Sequence, residues 1–197
     1  MNGSFMNGSF DGPASLVEAA PAVIFCLDAD LRLTYCNAAW DQFARENGAP
    51  ELCRPALIGR SVLDSIAEPD RAYYARVYRR VLAQSQPREQ LYECSSPKLY
   101  RQYLLRVLPL AKQAGLLVIN SLQVEHAHGR VPCSPTEERY RNGQGLILMC
   151  SGCRRTRRNS PGEEIWEWVP HFVESRPTGV SYDICPSCRE HYYPEVG

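Results

Sequence analysis

The sequence predicts an α+β domain with an antiparallel sheet, followed by a small cysteine-rich module. Three observations predict it. Apolar runs fall in the order strand, strand, several helices, then three strands, and helices grouped between the second and third strands suit an antiparallel sheet covered on one face. The composition shifts at two places, dividing residues 14–125 from a polar, Gly- and Pro-rich stretch at 126–145 (HAHGRVPCSPTEERYRNGQG) and from residues 146–197. Four of the nine cysteines form two Cys-x-x-Cys pairs near the C-terminus.

In the first block, Ser15 is placed to cap a short helix through Ala20. AVIFCLDA then reads as a strand that turns at Asp28-Ala29-Asp30 into a second strand, LRLTY. NAAWDQFARE has helical spacing, with Asn37 as N-cap and Ala39, Trp40 and Phe43 on one face. Gly59 and Pro69 punctuate the next segment. A long helix follows from Asp70, with Tyr74, Val77, Tyr78, Val81 and Leu82 at helical spacing. QLYECSS, LYRQYLLRVLPL and GLLVINSLQV are the three closing strands, the last two joined as a hairpin around AKQAG.

Bulk properties narrow the classes. Lys plus Arg and Asp plus Glu each total 22, so no net field draws the chain toward nucleic acid or anionic lipid. The N-terminal MNGSFMNGSFDG duplicates MNGSF and carries no Lys or Arg, so residues 1–13 read as a flexible leader. No apolar run approaches the roughly 18 residues of a membrane helix. A cytoplasmic protein is expected. Cys26, Cys36, Cys53, Cys94 and Cys133 share no spacing and read as small buried hydrophobes.

Cys150-Ser-Gly-Cys153 and Cys185-Pro-Ser-Cys188 are separated by 31 residues. Each Cys-x-x-Cys turn lets two thiolates reach one ion from a tight loop, and two such turns complete a tetrahedron of sulfur at about 2.3 Å. A structural zinc is the reading favoured for Cys150, Cys153, Cys185 and Cys188. Iron also accepts four thiolates, although rubredoxin-like knuckles carry Gly where this chain has Arg154 and Arg189. A thiol–disulfide pair activated by the neighbouring arginines is a third reading, and a set of structural cysteines without metal a fourth. Apolar residues are sparse after residue 146, so metal is expected to supply much of the folding energy there.

Two resemblances add to this reading. LDADLRLTYCNAAWDQF, LIGRSVLD, the Glu-Pro-Asp turn before the long helix, and RQYLLRVLPL leading to GLLVINSLQV resemble a PAS domain, the sensor module of many bacterial signalling proteins. The resemblance covers residues 15–125 and implies a five-stranded antiparallel sheet with flanking helices. YECSSPKLYRQYLLRVLPL is similar to a PAS subgroup with a Cys-x-Ser-Pro segment, which leaves the role of Cys94 open. CSGCRRTR, EIWEWVPHFV, TGVSYDICPSC and YYP resemble a zinc-binding, zinc-ribbon-like module that follows sensor domains in bacterial histidine kinases and response regulators. Asp183 departs from that pattern, which has Gly before the Ile. The implied organisation is leader 1–13, PAS domain 14–125, linker 126–145 and zinc module 146–197.

Known PAS chemistries need specific side chains, and of these a haem held by a cysteine thiolate stays open here. Gly59-Arg60 is followed by Ser61-Val62-Leu63, without the cysteine of flavin photosensors, and residues 14–125 hold no histidine for haem. The PAS ligand stays unknown. No Gly-x-Ser-x-Gly elbow or phosphate-binding glycine loop is present, so no enzymatic activity is expected. His171 and His191 read as surface or packing residues, and Trp166, Trp168 and Phe172 as cover for the metal. Arg154, Arg155, Arg157 and Arg158 invite a nucleic-acid reading, but residues 146–197 hold six Lys or Arg against seven Asp or Glu, a net of −1.

The expectation is a bacterial signal-transduction PAS sensor or adaptor. It would act through protein–protein contacts with a kinase or response regulator, with zinc as a structural cofactor. A thiol or zinc redox switch is the alternative, and nucleic-acid binding through Arg154–Arg158 a weaker one. A homodimer through the segment before Ala22 or the open sheet face follows from how PAS domains pair.

Overall fold

The computed structural model describes residues 14–66 and 68–193, so the duplicated leader lies outside the described residues. They fall into two compact units. One comprises residues 14–66, 71–90 and 104–121, and the other 68–70, 91–103 and 122–193.

Helix α1 spans Ala14–Glu18. Ser15 therefore sits inside the helix rather than capping it, and the cap position falls before the described residues. Strands β1 (Val23–Asp28) and β2 (Leu33–Cys36) form an antiparallel pair. The connecting turn is closed by the Asp28 carboxylate, which accepts the N–H groups of Asp30 and Arg32 at 2.9 Å each. Asn37 caps helix α2 (Ala38–Glu46) with its side chain accepting from the Trp40 N–H. A one-turn helix, α3 (Arg54–Leu57), and the long helix α4 (Asp70–Gln84) follow. Strands β3 (Arg88–Glu93), β4 (Leu99–Pro109) and β5 (Gly115–Ala127) complete a sheet ordered β2-β1-β5-β4-β3. This is the five-stranded antiparallel sheet with flanking helices.

The core of the first unit is the aliphatic face of this sheet: Leu27, Leu33, Val107, Leu116 and Val118 are all at most 1% exposed. On α4 the buried face carries Tyr73, Ala75, Val77, Tyr78 and Val81, whereas Tyr74 and Leu82 are half-buried. The stripe is thus rotated by about one residue from its expected centre, because two adjacent stripes, 73-77-81 and 74-78-82, each with a spacing of four, compete for the same face. Tyr74 instead stacks on Tyr78, with ring centroids 6.0 Å apart.

The second unit contains a four-stranded sheet ordered β8-β7-β6-β9, formed by β6 (Ile147–Cys150), β7 (Thr156–Arg157), β8 (Trp166–Glu167) and β9 (Val180–Asp183). Helices α5 (Pro170–Glu174) and α6 (Pro186–Tyr192) flank it. The tail has a core after all: Tyr140, Ile147, Met149, Val169 and Phe172 are buried together, with Cys133, Val180 and Tyr182 against them. Aromatic bulk replaces aliphatics, with Phe172 edge-on to Tyr140 at 5.5 Å. Two of these residues come from the polar stretch at 126–145. That stretch is built into the unit: the Cys133 N–H donates to the Trp168 carbonyl at 2.7 Å, and the Tyr140 hydroxyl to Glu167 at 2.9 Å. No helix among the described residues is long and apolar enough to cross a membrane.

Candidate metal centre

The sheet of the second unit brings the two cysteine pairs together. Strands β6 and β9 are parallel and in register, with Ile147 opposite Val180 and Cys150 opposite Asp183. Both strands therefore end at the same edge, and each runs directly into a Cys-x-x-Cys segment. Sequence spacing alone could not supply this parallel register.

The first knuckle is a tight turn. The Cys150 carbonyl accepts the Arg154 N–H at 3.0 Å, and Arg154 takes the left-handed conformation, φ 62°, that glycine commonly fills. Its guanidinium lies over the Tyr182 ring at 5.7 Å, which offsets part of the backbone strain. The second pair opens helix α6: Cys185 is the N-cap, Pro186 takes the first turn, and Cys188 faces back from it. Asp183, the departure from the expected glycine, accepts the Ile184 N–H at 2.7 Å with its side chain and closes that turn locally.

All four cysteines are buried, and their sulfur atoms lie within 4.8 Å of one another. Cys153 and Cys185 sulfurs are 3.6 Å apart, and the Cys185 N–H points at the Cys150 sulfur at 3.4 Å. A tetrahedron with metal–sulfur bonds of about 2.3 Å has sulfur–sulfur edges of about 3.8 Å, so the set fits around one ion. Without an ion, sulfhydryl hydrogen bonds divide the set. Donation from Cys153 draws Cys150 down to about 7, and donation from Cys150 lowers Cys185 as well. Bonding to Cys150 is the largest cause that pushes Cys153 and Cys188 up, so their thiol protons are the hardest to remove. A divalent cation would displace those protons, since a coordinating thiol is deprotonated outright.

The residues around the centre include several that spacing did not reveal. Arg130 donates through Nη1 to the Cys153 carbonyl at 2.9 Å, and through Nη2 to both Glu93 oxygens at 2.7 and 2.8 Å. Ser151, inside the first knuckle, donates its hydroxyl to Asp70 at 3.0 Å. Burial raises the Asp70 carboxyl, and the Ser151 hydroxyl opposes that rise. These partners lie tens of residues apart in the chain, so no local pattern could announce them.

The other expected residues distribute as follows. Cys26, Cys36, Cys53, Cys94 and Cys133 are free thiols outside the cluster. Burial pushes Cys94 up, and its N–H pairs with the Arg101 carbonyl. His171 and His191 are exposed. Phe172 belongs to the small core, while Trp168 lies beside His128 and beneath the Arg130 guanidinium. Of the four loop arginines, Arg154 sits on Tyr182, and Arg158 faces Glu167 at 3.9 Å.

The strand order and the helical connection from β2 to β3 define an antiparallel α+β domain with helices grouped between its second and third strands. A family model described as the PAS fold matches residues 17–124, more than half of the 197 residues, and the chain belongs to the PAS family. The cysteine centre lies outside the matched residues. No curated protein matches the chain. Among solved structures, VqmA of Vibrio cholerae, in a complex with ligand and DNA, is similar at a TM-score of 0.43 and 16% identity, over 55% of this chain and 49% of that one. This chain thus spans about half of the VqmA chain. The PAS domain of BvgS from Bordetella pertussis gives 0.40 and 18%, over 55% and 79%. The PAS domain of an HTR-like protein from Haloarcula marismortui gives 0.35 and 20%, over 55% and 87%. None of these is close enough to carry a function across.

Proposed function

We propose that the chain is a non-enzymatic bacterial signalling protein, a PAS sensor or adaptor at residues 14–125 followed by a zinc module at 146–197, whose small core also draws on Cys133 and Tyr140. Its output is contact with a protein partner in a signalling pathway, a kinase or a response regulator. Zinc on Cys150, Cys153, Cys185 and Cys188 is its structural cofactor. The observation that carries the metal reading is the burial of four thiols within 4.8 Å of one another at the shared edge of two parallel strands. Four protein ligands leave no open position, which supports a structural role over a catalytic one. Redox-active cysteines sit in partly exposed surroundings, so the burial of all four favours zinc over a thiol switch.

Two features weigh against nucleic acid as the partner. The charge of the chain is balanced, and Arg154 and Arg158 are turned toward Tyr182 and Glu167. We read the protein as cytoplasmic and as a homodimer, so light scattering should return twice the chain mass.

Metal analysis of the purified chain tests the reading. One zinc per chain is expected, lost in either Cys150→Ser with Cys153→Ser or Cys185→Ser with Cys188→Ser. Iron in place of zinc, or a chain that purifies without metal and takes up none, overturns it. Binding to a DNA duplex at low ionic strength, where phosphate contacts are strongest, would shift the output to nucleic acid.

A further inference from the structure

We propose that Arg130 couples the cysteine centre to strand β3, so that metal occupancy sets the order of the β3–β4 segment around Glu93. The inference rests on the reading of the four cysteines as a zinc site, and it concerns what that site controls.

One guanidinium joins the two places. Its Nη2 engages both oxygens of Glu93, the last residue of β3, and its Nη1 holds the carbonyl of Cys153, a residue of the first knuckle. The pair is enclosed: the Arg130 side chain is 14% exposed and that of Glu93 4%. The guanidinium carbon stands 5.1 Å from the Trp168 ring centroid and 5.8 Å from that of Tyr100, a residue of β4. A planar fork hydrogen-bonded to two partners and packed near two rings has little freedom to follow a moving partner while keeping the other.

Glu93 is in turn the hub of the strand ends. Ser95 donates its hydroxyl to Glu93 at 2.5 Å and accepts the Arg101 N–H at 3.3 Å, while the Cys94 N–H pairs with the Arg101 carbonyl at 3.0 Å. Arg101 belongs to β4. The Glu93 carboxylate therefore holds the connection between β3 and β4, and Arg130 is the cation that lets it stay buried.

The Cys153 carbonyl is where it is because the knuckle is closed. Without the ion the thiolates lose what draws them together, the turn at Cys150–Arg154 opens, and the acceptor for Nη1 moves. Arg130 must then shift with the carbonyl or abandon it, and either change is felt at Glu93. The Ser151–Asp70 bond is a second tie on the same knuckle, reaching the first residue of α4. Arg130 is accordingly a positioning residue, acting through the Cys153 backbone rather than on the ion.

Hydrogen exchange on the full chain, zinc-loaded and after chelation, tests this in the parent, Arg130→Gln and Arg130→Lys. In the parent, chelation should raise exchange at amides of residues 92–102 about tenfold or more. In Arg130→Gln those amides should exchange quickly from the start and respond to chelation by less than about twofold. Arg130→Lys keeps the charge and so protects folding, but loses the fork, and should give the same loss of response. Competition with a chromophoric chelator should show zinc affinity lowered about tenfold in both variants, the low end of what outer-shell changes cost. A zinc-loaded parent whose residues 92–102 ignore chelation overturns the coupling and leaves the zinc reading standing. So does a pair of variants that respond as strongly as the parent. A chain that takes up no metal overturns both.

Discussion

Single side chains hold the first unit together in ways that differ in how visible they are. Asn37 is fully buried and serves both ends of its amide. Its oxygen accepts the N–H groups of Ile24 and Trp40, and its nitrogen donates to the carbonyls of Ala22, Val17 and Ala20. The cap was legible, because Asn before an apolar-periodic run is a helix start signal. The carbonyls it gathers from the chain before β1 were not, since they depend on where α1 lies. Asn37→Ala should leave these groups unpaired and lower unfolding free energy by about 3 kcal/mol in urea titration. A loss of a few tenths would show that the amide only caps α2.

Arg54 carries a second such network. It bonds Asp41 through both its backbone N–H and Nε, at 2.8 and 2.7 Å, and Glu18 through Nη1 at 2.6 Å. Burial raises the Asp41 carboxyl, but those bonds more than offset it and hold it below its ordinary 3.8. The Tyr35 hydroxyl, then Arg54, holds Glu18 below 4.5. Both carboxylates are more acidic folded than unfolded, so the unfolded chain binds more protons as pH falls. Their contribution is fully present above those ordinary values and is lost as pH drops through the folded ones. Urea midpoints should hold steady from neutral pH to about 5 and decline below about 4. Arg54→Met should flatten that decline while lowering the plateau, and an unchanged acid limb would contradict the assignment.

Among the elements, β5 and the β6–β9 pair set the geometry. Gly115 opens β5 with φ 150°, and a Cβ there would stand 1.9 Å from the Leu27 carbonyl oxygen on neighbouring β1. Gly115→Ala must push β1 and β5 apart where Leu27 and Leu116 are both buried. It should cost about 2–4 kcal/mol by thermal or urea unfolding, and a neutral outcome would mean the strands part freely. The hairpin and helices α2 and α4 were legible in the sequence, because their apolar periods are long and regular. Strands β7, β8 and β9 and the parallel pairing of β6 with β9 were not. These strands run two to four residues, too short for an alternation to register.

At the scale of the whole molecule, the PAS fold was written in the order of its elements, and the four candidate ligands in two spacings. What escaped was how the cysteine centre is supported. Arg130, Glu93, Ser151 and Asp70 meet through tertiary contacts, and Tyr140 was hidden in a stretch whose Gly, Pro and charge content reads as linker. With Tyr140 and Phe172 filling a small core, the second unit should not collapse fully when metal leaves. Chelation should loosen the knuckles while thermal unfolding of the sensor sheet persists as a separate transition. One merged transition that disappears on chelation would show that the sheet depends on the metal for its own fold.

The measurement that bears most directly on the central claim is X-ray absorption at the zinc edge of the purified, metal-replete chain. A single shell of four sulfur atoms at about 2.3 Å is the predicted result, because Cys150, Cys153, Cys185 and Cys188 complete the shell and leave no place for water. Nitrogen or oxygen neighbours at about 2.0–2.1 Å would place histidine, carboxylate or water on the ion and contradict the four-thiolate centre.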